Sequence, residues 1–99
     1  MKIVQVVPKE GFENLAAAIR EKERSLRGTS TTFYQDKPGK WKHVKYHGWI
    51  TWSKCGGGII VFEIKSKVEA TDWQLSSSFV GYLHRHFEEM IDSISIYYR

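Results

Sequence analysis

The chain has 99 residues, 41% of them apolar and 14% aromatic, with a formal net charge of +4 when the histidines are neutral. That length sets one domain, residues 1–99, able to bury a core without disulfides or a metal, and the apolar content excludes a disordered chain. With no run near the ~20 apolar residues of a membrane span, too short an apolar start for a secretory signal, and Cys55 as its one cysteine, the chain is expected to be soluble and cytoplasmic.

Residues 2–7 are rich in valine on both alternating sets and are closed by Pro8, as in a strand inside a sheet. Residues 10–27 follow a helical period, with Phe12, Leu15, Ala16, Ile19 and Leu26 on one face and Gly28 as the stop. Residues 30–35, STTFYQ, read as a short strand, and Asp36-Lys37-Pro38-Gly39-Lys40 as a turn with proline and glycine in its central places. Residues 41–53 alternate as one long strand. Val44, Tyr46, Gly48, Ile50 and Trp52 form its expected core face, and Trp41, His43, Lys45, His47, Trp49 and Thr51 the other.

Cys55, Gly56 and Gly57 are expected to close a three-residue hairpin loop to a strand at 59–65. That register sets Trp52 beside Ile60, Ile50 beside Phe62 and Trp49 beside Glu63. Thr71-Asp72-Trp73-Gln74 has the form of a capping box, opening a helix that runs to about Met90 and buries Ser76, Phe79, Val80, Leu83, Phe87 and Met90. Residues 92–98 alternate again, with Ile94, Ile96 and Tyr98 inward. The whole is an α+β chain: an antiparallel sheet with two helices on one face. Its order is ferredoxin-like, β-α-β-β-α-β, with an extra short strand at 30–35.

Charge is uneven along the chain. Residues 29–55 hold five lysines against Asp36 alone, whereas residues 56–99 hold four basic and six acidic side chains. The stretch 41–54, WKHVKYHGWITWSK, gathers three of the four tryptophans and contains no acid. Lysines attract phosphate and aromatic faces stack on bases. On the expected open face Trp41, Lys45 and Trp49 recur at about 13 Å per step along a strand. The expected nucleic-acid or anion-binding set is therefore Trp41, Lys42, His43, Lys45, His47, Trp49 and Lys54. In it the indoles stack, the lysines supply charge and the histidines make affinity sensitive to pH. The bland alternative is that edge-strand lysines discourage aggregation.

Other chemistries find less support. The strands lack the aromatic-glycine signature of an RRM. The α-β-β-β-α order at 10–90 resembles that of a double-stranded-RNA-binding domain, but Glu69 and Asp72 at the start of the second helix would repel phosphate. His43 and His47 are too far apart on a strand to share an ion, and His84 and His86 point about 200° apart on a helix, so no metal or cofactor is expected. The glycines beside Cys55 are accounted for by a turn, and Glu63 by the polar side of a strand. The expectation is a small non-enzymatic binding domain with nucleic acid as its partner. One alternative is a homo-oligomeric interaction protein that uses Ile59, Val61 and Tyr97 on the open sheet face. Another is a small-ligand binder or enzyme around Glu63, His43 and His47.

Overall fold

The computed structural model describes residues 1–29 and 32–99. Strands β1 (Lys2–Pro8), β2 (Phe33–Lys37), β3 (Lys40–His43), β4 (Trp49–Lys54), β5 (Ile60–Lys65) and β6 (Ile91–Tyr98) form one six-stranded antiparallel sheet in the order β2-β3-β4-β5-β1-β6. Helices α1 (Leu15–Leu26) and α2 (Glu69–Phe87) share one buried cluster with the inward residues of the sheet, so the architecture is α+β. The four-stranded ferredoxin-like order is not that of this sheet. Strands β4-β5-β1-β6 stand side by side, but the sheet continues through β3 to an edge at β2. Of the strand expected at 30–35, Ser30 and Thr31 lie outside the described residues, and β2 begins at Phe33.

The valine-rich first strand lies between β5 and β6, as its two apolar sets require. Val4 and Val6 face the core, in line with Phe62 and Ile60 on β5 and with Ile96 and Ile94 on β6. Lys2 continues the inward row, and its ammonium pairs with the buried Asp72 of α2. Helix α1 starts later than its hydrophobic period implies. Tight turns occupy residues 9–14, with Gly11 at φ 90°, and they leave Phe12 exposed. Leu15, Ala16 and Ile19 are buried as expected, and so is Glu23. The Glu23 carboxylate accepts from Arg27 Nε at 2.8 Å and from the backbone N–H of Gln35 at 2.9 Å. It thus ties the edge strand β2 to α1.

Helix α2 opens two residues before the expected threonine cap. Thr71 lies inside its first turn, where its hydroxyl donates to Val68 O at 2.9 Å. Leu75, Ser76, Phe79, Tyr82, Leu83 and Phe87 form its buried stripe, while Val80 and Met90 are only partly covered. Burial, and then the charge of Glu23, push the Tyr82 hydroxyl up to about 12. The β4–β5 register differs from the expected one. Trp52 stands opposite Phe62 and Ile50 opposite Ile64, because the loop is five residues long and contains the turn Gly56–Gly58. The slip is two residues, so each side chain keeps its face.

The long strand expected at 41–53 is two strands, β3 and β4, joined by a loop at 44–48. Trp41 and His43 point into the core from β3, and Ile50 and Trp52 from β4. The expected outward position of Trp41 and His43 is therefore corrected: they are 2% and 9% exposed. Val44, expected inside, is 62% exposed. Gly48 makes the return possible. It has φ 123°, and a β-carbon there would meet Lys65 O at 2.4 Å and Leu75 Cδ2 at 2.6 Å.

A Gly48→Ala exchange is accordingly expected to cost ~2–4 kcal/mol, combining positive-φ strain with overpacking against backbone. Gly57→Ala, also at positive φ but facing open space, is expected to cost about 1–2 kcal/mol. Paired urea unfolding curves check both, and equal losses would show that the close approach at Gly48 is not limiting.

Candidate functional site

The turn at 44–48 is organised by the ring of His43. Nδ1 accepts the backbone N–H of Lys45 at 2.9 Å and of Tyr46 at 3.2 Å. A nitrogen that accepts cannot carry a proton, so the neutral ring has its hydrogen on Nε2. That atom lies 3.4 Å from Ser78 Oγ on α2. The Tyr46 ring stacks on the imidazole at 4.6 Å, and Phe33 meets its edge at 4.8 Å. Burial, and then the nearby charge of Lys45, hold the His43 pKa below its ordinary value.

This turn forms one wall of a cleft of about 360 Å³ lined by Lys42, His43, Lys45, Tyr46, His47, Trp49 and Lys67, among others. Three lysines and two histidines line it and no carboxylate does. Among the described residues, Lys45 and Lys67 have no acidic partner, and Lys42 lies 3.8 Å from Asp36 with its side chain 39% exposed. An exposed pair at that distance is worth little and yields readily to a competing anion.

Lys42 and Trp49 of the cleft lining belong to the face of the sheet away from the helices. There Tyr34 of β2 stands opposite Lys42 of β3, and Trp49 of β4 opposite Lys65 of β5. The β3–β4 register, with Trp41 opposite Ile50, brings Lys42 and Trp49 together as the next pair. Rings and ammonium groups thus alternate across four strands at about 4.8 Å per strand. Lys40 extends this surface, with Nζ 5.2 Å from the Trp49 ring. Lys65 is held by Glu63 at 3.6 Å, again a solvent-exposed pair.

Of the residues expected to form the site, Lys42, His43, Lys45, His47 and Trp49 come together around the cleft. Trp41 does not: its ring packs against Trp52, Phe79 and Tyr82. Lys54 lies at the far end of β4 and lines a different cavity. Tyr34, Lys40, Lys65 and Lys67 were missed. Lys65 and Lys67 fall outside the basic run and reach it only because β5 pairs with β4. Of the expected interface residues, Val61 and Tyr97 sit on the open face, beside Gln5 and Ile3 respectively, while Ile59 lies in the turn before β5. The hollow that contains Glu63 is lined by Thr51, Trp52, Ser53 and Val61, with no histidine.

Comparison with protein-family models, curated proteins and solved structures finds no match. Among the described residues, no three His, Cys, Asp or Glu side chains gather so as to hold a metal ion, and no helix is long and apolar enough to cross a membrane.

Protonation of His43 must break both turn hydrogen bonds. Its folded pKa is depressed, so its contribution to stability is fully present above its unfolded value, near 6.5, and is lost as pH falls from there toward the folded value. His86, whose pKa burial also lowers, acts in the same direction. The urea midpoint is expected to drop between pH 7.5 and 5, and less so in His43→Gln and in His86→Gln. An unchanged pH dependence in His43→Gln would remove the imidazole as the latch.

Proposed function

We propose that this protein is a non-enzymatic binding domain that takes single-stranded nucleic acid on the open sheet face, with backbone phosphates drawn into the cleft at 42–49. The observation that carries this reading is the cleft lining itself: lysines and histidines from the turn at 44–48, β3 and Lys67, with no acid among them. Trp49 in the cleft lining and Tyr34 opposite Lys42 on the same sheet face supply stacking surfaces, and Lys42, Lys45, Lys65 and Lys67 supply the phosphate term. An exposed sheet with alternating rings and cations suits a single strand, whose bases are free to stack. With the unpaired thiol of Cys55 exposed, a reducing cytoplasm is the compartment this reading assigns. The quartet β4-β5-β1-β6 is read as a ferredoxin-like core extended by two strands, an arrangement that by itself specifies no function.

A second reading is favoured by a different observation. Ile3, Val7 and Val61 are half-buried on the open face of β1 and β5, where no described element packs over them. A second copy of the chain covering that face would bury them.

Titration of tryptophan fluorescence with short single-stranded RNA and DNA at several salt concentrations separates the two. The nucleic-acid reading expects log affinity to fall linearly with log salt, a slope smaller by about 1 in Lys45→Ala or Lys67→Ala, and roughly tenfold or greater weakening in Trp49→Ala. Absence of salt-dependent binding, together with a dimer in sedimentation that is lost in Val61→Glu, would transfer the proposal to self-association.

A further inference from the structure

We propose that a second cleft, at the opposite end of β4, binds a small carboxylate with a flat apolar body. The cavity is about 270 Å³ and is walled by Arg20 of α1, Gln35 of β2, Pro38 in the β2–β3 turn, and Trp52 and Lys54 of β4. That volume lies just under the range of drug-sized ligand pockets, so it suits a compact molecule rather than a polymer. Trp49 lines the first cleft and Lys54 this one. Five residues along a strand separate them by about 17 Å. The two sites are therefore independent, and this inference does not rest on the nucleic-acid reading.

The floor is a fixed indole. Phe62 stacks on Trp52 at 5.6 Å with the rings 6° apart, and Trp41 packs against it at 6.0 Å. The Arg20 guanidinium lies 5.7 Å from the Trp52 ring centroid. That contact restrains the guanidinium over the indole, and among the described residues no side chain hydrogen-bonds to it and no carboxylate lies within ion-pair distance of it. A planar guanidinium with a free fork matches a carboxylate bidentately, which a lysine does not. Lys54, also without an acidic partner among the described residues, adds a second positive charge, and the Gln35 side-chain amide adds a donor and an acceptor. No acid lines the cavity. Trp52, Pro38 and the aliphatic stem of Arg20 supply the apolar surface on which a ring would lie. Charge therefore selects an anion, the fork selects a carboxylate, and the indole selects a flat body.

The test uses 2-naphthoate and its neutral analogue 2-naphthamide on the full chain, followed by amide and indole N–H chemical shifts. The proposal expects naphthoate to shift the Trp52 indole and its neighbours saturably and to bind at least about tenfold more tightly than the amide. It also expects Arg20→Gln to lose about tenfold or more in affinity, Arg20→Lys to recover only part of that, and Lys54→Ala to lose a few-fold, with all three spectra otherwise native. Equal binding of acid and amide, shifts centred on Trp49 instead of Trp52, no binding at millimolar naphthoate, or an Arg20→Gln protein that binds as well as the parent would each overturn it. Should Arg20→Gln fail to give a native spectrum, Lys54→Ala and the acid–amide comparison decide the matter on the parent fold.

Discussion

Two backbone N–H groups converge on one imidazole nitrogen, and the cationic cleft beside it depends on that convergence. By accepting from Lys45 and Tyr46, His43 converts what reads as the middle of a strand into a turn. Gly48 completes the turn at a φ that L side chains rarely adopt, with backbone and Leu75 where a β-carbon would stand. The consequence is geometric. In the resulting hairpin Trp41 faces inward opposite Ile50, so the inward set changes from odd-numbered residues in β3 to even-numbered residues in β4. Lys42 and Trp49 then share the open face, while Lys45 and His47 project from the turn beside them.

The aromatic residues divide along the same line. Phe33, Trp41, Phe62, Phe79 and Tyr82 meet edge-to-face or stacked within the core, at centroid distances between 4.7 and 6.4 Å. Such contacts favour offset and perpendicular geometries and contribute beyond simple area burial. Their tight packing positions Trp52 at the margin of the core, where it also lines the second cleft. Trp49, three residues earlier on β4, is the indole on the open face.

Polar groups inside the molecule act as ties between layers rather than as chemistry. Glu23 joins α1 to the edge strand through the Gln35 amide, and Lys2 joins β1 to the start of α2 through Asp72. With these anions engaged, few acids remain near the cationic residues at the two ends of β4. That distribution, and not the total charge of +4, is what leaves each cleft lined by cationic side chains and no acid.

The sequence by itself determined the two helices and the flanking strands to within a few residues, that the first strand is interior, the main buried residues of each helix, and that 41–54 is the basic, aromatic part of the chain, but it ran β3 and β4 together as one strand. Those properties follow from local periodicity and from glycine and proline, which act within a few residues. It did not determine on which side of the sheet Trp41 and His43 stand, because residues 44–48 alternate apolar and polar well enough to continue a strand, and the hydrogen bonds that break it run to a side-chain nitrogen. Nor did it reveal Tyr34 beside Lys42, Lys65 and Lys67 near Trp49, or Arg20 beside Trp52. Only the tertiary structure decided these, because strand pairing and helix docking set the distances between residues far apart in the chain.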